Sequence, residues 1–180
     1  MKLLKENTLA LVIDIQERLF PVMNNKESLL NKCTKLLTGL NVHNLPVLVT
    51  QQYTKGLGAT LPQLSDLLPG FSPIEKTSFS CYDEPDFISA LEETDRKTVL
   101  ICGIESHVCV LQTAVDLKDA GYTPVVVFDC VSSRNESDKM LALERFRHEG
   151  ILVAGVESVL FELTKGAKEP GFKEISKIVK

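Results

Sequence analysis

The sequence has no excess of positive charge and no long apolar run, and each absence excludes a class of function. Its 180 residues carry 20 lysines and arginines against 24 aspartates and glutamates, a formal net charge of −4. A nucleic-acid-binding face would show clustered basic residues instead. No apolar run reaches the roughly 20 residues that span a bilayer, and the charged segment 1–7 is unlike a signal peptide. We therefore expect neither nucleic-acid nor membrane partners.

Cysteine pairs and metal-ligand clusters are also missing. The five cysteines are an odd number without a CxxC pair, at Cys33, Cys81, Cys102, Cys109 and Cys130. They fit neither a disulfide framework nor a zinc motif, and the three histidines lack acidic partners at ligand spacing. Reduced thiols favour a cytoplasmic location. A free cysteine is usually a small buried apolar residue, which is the favoured interpretation of Cys33, Cys81, Cys102 and Cys130. Cys81 falls in a loop and could also be exposed, but it has no apparent charged partner.

The chain alternates apolar runs with helical patterns, without repeats or linkers. Short β-rich runs predict strands at residues 9–14, 46–50, 72–76, 98–103, 124–129 and 151–154. The alternation predicts a single α/β domain over residues 1–180, with a core at 7–160 and a tail at 161–180. Its three layers would be a doubly wound parallel six-stranded sheet of order 3-2-1-4-5-6 and helices on both faces.

That strand order predicts the place of the site. The strands at 9–14 and 98–103 lie side by side, and their connections leave in opposite directions, so a crevice opens beyond their carboxyl ends. Asp14 closes the first of these strands, where a carboxylate is either a turn or N-cap residue or a general base. Lys76 ends the third strand at the same edge, where its charge can hold a carboxylate or a thiolate.

Cys109 lies in the first turn of the helix predicted after the strand at 98–103, with Ser106 as its N-cap. Backbone N–H groups and the helix dipole at that position favour an anion, which predicts a lowered thiol pKa. His107 is two residues before Cys109, and residues so spaced on a helix do not face each other. A Cys–His dyad is therefore not expected.

Three separated motifs resemble the isochorismatase-like cysteine hydrolases: residues 10–16 (ALVIDIQ), 75–79 (EKTSF) and 102–110 (CGIESHVCV), followed by Thr113. The resemblance covers nearly the whole chain. It implies the doubly wound fold, a homo-oligomer, and a catalytic triad of Asp14, Lys76 and Cys109. It also implies that the cysteine attacks an amide-type carbon and forms a covalent thioester intermediate.

The resemblance further implies a cis peptide bond between Ile104 and Glu105, which turns the Glu105 N–H toward the site. That N–H and the N–H of Cys109 would form the oxyanion hole. The nicotinamidase branch of this family has a metal site of Asp and His residues after the second strand. Residues 50–58 here read TQQYTKGLG, which resembles the metal-free branch of isochorismatase domain proteins, so no metal or other cofactor is expected.

These features predict a hydrolase of C–N bonds in a small amide or carbamoyl-type substrate. Asp14 would take the proton of Cys109 and return it to the leaving amine, and Lys76 would orient Asp14. A site open to water is expected, so that Asp14→Asn would cost little stability.

The walls of the substrate pocket and the alternatives to catalysis are less determined. Phe20, Tyr53 and Tyr82 are candidate walls, or ordinary packing residues. The fold can also persist in an oligomeric binding protein without turnover. A thiol-redox sensor built on Cys109 is a third alternative, and it needs a second thiol in reach, which Cys102 inside a strand is not expected to supply. A mean hydropathy of +0.06 adds to the expectation of a homo-oligomer.

Overall fold

A parallel sheet forms the centre of the molecule. The computed structural model describes residues 2–180. The strands are β1 (Thr8–Ile13), β2 (Val47–Gln52), β3 (Ile74–Lys76), β4 (Thr98–Ile104), β5 (Thr123–Ser132) and β6 (Leu152–Ala154). They form one six-stranded sheet of order β3-β2-β1-β4-β5-β6, in which every pair is parallel. The predicted fold class and strand order are confirmed.

Helices cover both faces of this sheet. They are α1 (Lys26–Val42), α2 (Thr54–Leu57), α3 (Pro62–Ser65), α4 (Pro85–Glu93), α5 (Leu111–Asp119), α6 (Glu136–His148), α7 (Val156–Thr164) and α8 (Phe172–Val179). Short 3-10 turns occur at Lys5–Asn7, Phe20–Val22 and Cys81–Asp83, and a π-helical turn at Ser106–Val110. Over the described residues, no helix combines the length and the apolar character needed to cross a bilayer.

Two apolar cores lie on opposite faces of the sheet. The central strands β1 and β4 are buried over their whole length, as expected for strands that are covered on both faces. Because side chains alternate along a strand, Leu9, Leu11 and Ile13 face the core under α4, α5 and α6. Ala10 and Val12 face the core under α1, α7 and α8.

The segment expected as a tail is part of this second core. Helix α8 packs against α1 and α7, and its Ile175 is fully buried. This short helix therefore covers the core with its apolar side chains and is not a free tail.

Gly103 allows β1 and β4 to approach each other at the end where the site lies. Its φ is +137°, and a Cβ atom there would lie 2.2 Å from the carbonyl oxygen of Ile13. Only glycine fits such a position. The close approach brings Asp14, the residue after Ile13, next to the turn that follows β4.

Candidate active site

Asp14 and Lys76 form a buried ion pair at the carboxyl edge of the sheet. Asp14 follows β1 in a left-handed backbone conformation, with φ of 54°, which aspartate tolerates better than most residues. Lys76 is the last residue of β3. Its Nζ lies 2.7 Å from Asp14 Oδ2, and both side chains are 0% exposed. The structure thus brings together two residues that the sequence placed at the same edge.

Polar groups of β2 and of the segment after β3 hold this pair. Thr50 Oγ1 donates a hydrogen bond to Asp14 Oδ1 at 2.8 Å. Lys76 Nζ donates to Gln52 Oε1 at 2.5 Å, to the carbonyl oxygen of Ser78 at 3.0 Å and to that of Phe79 at 3.2 Å. An ammonium group has three donors, and these three oxygens and the carboxylate offer it four acceptors, so no donor is left over. Lys76 is therefore a charge for Asp14 rather than a donor to a substrate.

Cys109 lies in a π-helical turn rather than in a regular first turn. The carbonyl oxygen of Glu105 accepts from the N–H groups of Val108 and Val110, and Glu105, not Ser106, is the N-cap residue. The predicted Ser106 cap is wrong because the widened turn moves the helix start by one residue. The Ser106 hydroxyl is buried and has no hydrogen-bond partner among residues 2–180. Turns of this kind are frequent at functional sites.

Burial dominates the ionisation of the thiol. Burial raises the pKa of Cys109 to about 12; the Asp14 carboxylate adds to this rise and the Lys76 ammonium opposes it. The predicted lowering of the thiol pKa is therefore wrong, because desolvation outweighs the effect of the helix end. The raised pKa indicates that the thiol of Cys109 is neutral at rest.

The two charged partners are shifted in the same direction. Burial raises the pKa of the Asp14 carboxyl, although Lys76, Thr50 and Cys109 each lower it. Burial lowers the pKa of the Lys76 ammonium, but the Asp14 carboxylate and nearby thiols raise it to a net value above its ordinary one. A carboxylate with a raised pKa is a stronger base, and it lies beside a thiol that needs one.

The three residues predicted as a triad are almost sealed from solvent. Asp14 is 0% exposed, Lys76 1% and Cys109 6%. The expected site open to water is therefore wrong, because the segment after β3 and the turn after β4 close over the ends of the strands. A site this closed suits a small substrate.

The residues predicted for the oxyanion hole follow β4 directly. The peptide bond between Ile104 and Glu105 is cis. The Glu105 side chain is tied to the β5–α6 connection, because its Oε2 accepts from the backbone N–H of Arg134 at 3.0 Å and from Arg134 Nε at 3.2 Å. His107 is turned to the same connection, with Nδ1 2.9 Å from Ser133 Oγ. As predicted, it does not pair with Cys109.

The three aromatic residues predicted as pocket walls do not gather at one place. Tyr53 is 52% exposed, and its N–H donates to the carbonyl oxygen of Lys76 at 2.9 Å, so it lies at the rim of the site. Phe20 packs at the border of the core under α1. The ring of Tyr82 meets the ring of Tyr122 edge-on, with centroids 6.4 Å apart. Tyr122 immediately precedes β5 and so lies at the amino ends of the strands. Tyr82 therefore points away from the carboxyl ends, where Asp14 and Lys76 lie.

Cys81 is buried, although its place in a loop left exposure open. It is 0% exposed, because its N–H donates to Thr113 Oγ1 at 2.9 Å and draws the 81–83 turn under α5. Its Sγ lies 3.7 Å from Thr50 Oγ1. Thr50 and Gln52 were also missed, although their position at the end of β2 is a signal that could have found them.

Comparison with known proteins identifies the family. The Isochorismatase domain model matches residues 8–158. Isochorismatase domain-containing protein 2 of Danio rerio is 36% identical over 178 residues, which cover 99% of this chain and 89% of that protein. The secreted isochorismatase effector Isc1 of Phytophthora sojae is 37% identical over 183 residues, with 99% and 87% covered. The chain belongs to the isochorismatase domain family, as its three motifs predicted.

Solved structures share this fold. The structure titled MAR1 ribonuclease, from Caenorhabditis elegans, has a TM-score of 0.93 at 33% identity and covers 99% of this chain and 92% of that chain. The YcaC gene product of Escherichia coli, titled an octameric hydrolase of unknown specificity, has a TM-score of 0.90 at 24% identity, with 93% and 84% covered. At that identity, the second likeness shows the fold alone.

Proposed function

We propose that this chain is a cysteine-dependent hydrolase that cleaves the C–N bond of a small amide or carbamoyl-type substrate. The observation that carries the proposal is the fully buried ion pair, with Lys76 Nζ 2.7 Å from Asp14 Oδ2, beside the thiol of Cys109. A buried charge pair is costly to desolvate, so its place next to the one thiol with a little exposure favours a chemical role.

The mechanism starts from the neutral thiol. Asp14 accepts the proton of Cys109 as Sγ attacks the carbonyl carbon, and the charge of Lys76 stabilises the site during transfer. Asp14 then returns the proton to the leaving amine, which leaves a thioester on Cys109. Water that gives its proton to Asp14 hydrolyses the thioester and restores the thiol. The backbone N–H groups of Glu105 and Cys109 are proposed to hold the oxyanion.

An ammonia-release screen tests this proposal. Purified protein is assayed on a panel of small amides and carbamoyl compounds, and the hits are repeated with Cys109→Ala as the blank. Cys130→Ala is the matched control, because Cys130 is also buried but lies in the other core. Rapid-quench intact mass spectrometry should show an acyl adduct on the wild type and on Cys130→Ala only. Ammonia release that survives in Cys109→Ala would contradict the role of the thiol.

RNA is the second substrate class to test, because a relative at 33% identity carries the name ribonuclease. Two observations favour the amide instead. The net charge is −4, whereas RNA-binding grooves are basic, and the triad is almost sealed, with Cys109 6% exposed. Cleavage of single-stranded RNA by the wild type but not by Cys109→Ala would replace the amide proposal.

Assembly and location complete the proposal. We propose a homo-oligomer, since most soluble assemblies are symmetric copies of one chain and the related YcaC product is titled octameric. Light scattering that gives only the monomer mass of 19.9 kDa would contradict this.

A cytoplasmic location suits the five unpaired cysteines, because a reducing compartment preserves thiols. Imaging of a tagged chain tests the location, which the name of the secreted relative makes worth measuring.

A further inference from the structure

We propose that Cys81 and Cys109 form a dithiol modification site that hydrogen peroxide converts reversibly into a disulfide. The inference rests on the proposed function only in treating Cys109 as the reactive thiol. It assigns a role to Cys81, a buried thiol that the hydrolytic mechanism does not use.

The first support is that both thiols share one polar centre. Cys81 Sγ lies 3.7 Å from Thr50 Oγ1, and that hydroxyl donates to Asp14 Oδ1 at 2.8 Å. The Asp14 carboxylate also lies close enough to Cys109 to raise the pKa of its thiol. The base that serves Cys109 is therefore one hydroxyl away from the second sulfur.

The second support is the way the two backbones are docked. The N–H of Cys81 donates to Thr113 Oγ1 at 2.9 Å. Thr113 is four residues after Cys109, and residues so spaced lie on the same face of a helix. Cys81 is thus held against the helix face that begins with Cys109, and both cysteines belong to the same apolar core. A disulfide needs Cα atoms within about 7 Å, which this docking favours.

The other three cysteines lie elsewhere. Cys33, Cys102 and Cys130 belong to the core on the opposite face of the sheet, and each is 0% exposed. Cys102 is in β4 and points away from the triad, as expected from its position inside the strand. Cys81 is therefore the second thiol that the redox alternative required.

The chemistry balances with one peroxide. Asp14 accepts the proton of Cys109, whose sulfur attacks one peroxide oxygen. The O–O bond breaks, and the departing hydroxide takes that one proton back from Asp14 and leaves as water. The product is a sulfenic acid on Cys109. The sulfur of Cys81 then attacks the sulfur of Cys109 and forms the disulfide. The hydroxyl of the sulfenic acid takes the proton of Cys81 and leaves as a second water. The two thiols lose two electrons and peroxide gains them. With Cys109 held in the disulfide, the proposed hydrolysis stops until a thiol reductant restores the free thiol.

The experiment is disulfide mapping of the folded protein after brief treatment with dilute peroxide. The wild type should lose about 2 Da of mass, which is the mark of a disulfide, and give a peptide that links Cys81 to Cys109. Dithiothreitol should then restore the labelling of Cys109 by a small alkylating reagent. Because these readouts need no substrate, they stand even if the amide screen finds none.

Variants separate this pair from simple overoxidation. In Cys81→Ser and Cys81→Ala, Cys109 should progress to sulfinic acid, a gain of about 32 Da that dithiothreitol does not reverse. Cys130→Ala, the matched control, should behave like the wild type. The proposal is overturned if wild-type Cys109 is overoxidised without a link to Cys81, if it links to a cysteine of the other core, or if the Cys81 variants recover as fully as the wild type.

Discussion

The five cysteines fall into two groups on opposite faces of the sheet, and the groups differ in their neighbours rather than in burial. In one group, Cys33 donates to the carbonyl oxygen of Cys130 at 3.6 Å, and a hydrogen bond with Cys33 together with burial raises the pKa of Cys102 well above its ordinary value. In the other group, burial raises the pKa of both Cys81 and Cys109 to about 12.

A raised pKa therefore does not distinguish a structural thiol from one that is proposed to react. What distinguishes them is a base and a cation within reach, and the pair of Asp14 and Lys76 supplies both to one group. Burial disfavours the thiolate form of both Cys102 and Cys109. It is still compatible with the chemistry proposed for Cys109, because Asp14 can take the proton when a substrate arrives. The predictions below test this difference.

The largest effect is expected from replacing the nucleophile. Cys109→Ser should lower the turnover of any substrate found by the screen by about a thousandfold or more, as loss of a nucleophile does, because a hydroxyl is much harder to ionise than a thiol. Cys102→Ser, the same change in the other group, should leave turnover within about threefold, since its hydroxyl can take over a buried hydrogen bond. Comparable losses in both variants would erase the comparison.

The next effect concerns the buried charge pair. Lys76→Met leaves the Asp14 carboxylate uncompensated and should lower the free energy of unfolding by about 3–5 kcal/mol, measured by urea denaturation. The double variant with Asp14→Asn should recover much of this loss, because no charge is left buried. Lys32→Met is the control, since Lys32 makes a half-exposed ion pair with Asp129 at 3.3 Å, for which about 1 kcal/mol or less is expected. Equal losses in the two single variants would contradict the burial argument.

The pH dependence of alkylation follows from the raised thiol pKa. Because the pKa of Cys109 lies at about 12 instead of 9.0, the labelling rate with iodoacetamide should rise about tenfold per pH unit and continue to rise above pH 9. The same raised pKa makes the folded state less stable at high pH. The contribution of the Cys109 thiol to the free energy of unfolding is full below pH 9.0, its ordinary pKa, and is lost as the pH rises toward about 12. A plateau of the labelling rate near pH 9 would show an ordinary thiol.

The smallest effect is expected from the hydrogen bond to the carboxylate. Thr50→Val removes the donor at 2.8 Å from Asp14 Oδ1, which raises the pKa of Asp14 further. The acid limb of kcat/KM should move to higher pH by about one unit, the equivalent of about 1.4 kcal/mol. Thr164→Val, at a buried threonine that bonds His43 instead, should leave the acid limb in place. No shift in Thr50→Val would mean that another group controls it.

The strand order and the edge at which Asp14, Lys76 and Cys109 meet could be predicted from the sequence. Both depend on local periodicity and on general rules of parallel sheets, and the three motifs added the family. The division of the thiols into two groups could be predicted in part. Cys33 belongs to the apolar stripe of its helix, and Cys102 lies inside an apolar strand.

What the sequence could not give are properties that distant segments decide together. The ionisation of Cys109 depends on how completely β3 and the turn after β4 close over it. The burial of Cys81 depends on Thr113, which is 32 residues away along the chain. The missing cap at Ser106 depends on a widened turn, for which the residue pattern of a regular helix start gives no warning.

Phe79 serves the site with its backbone and leaves its side chain free. Its carbonyl oxygen accepts from Lys76 Nζ at 3.2 Å, while the residue is 56% exposed. A carbonyl group is the same in every amino acid, so the ring at position 79 can be exchanged without removing an acceptor from the lysine. The exposed side chain at position 79 can therefore vary while the charge network around Lys76 stays intact. A directed-evolution library can accordingly sample this position without removing a partner of the Asp14–Lys76 pair.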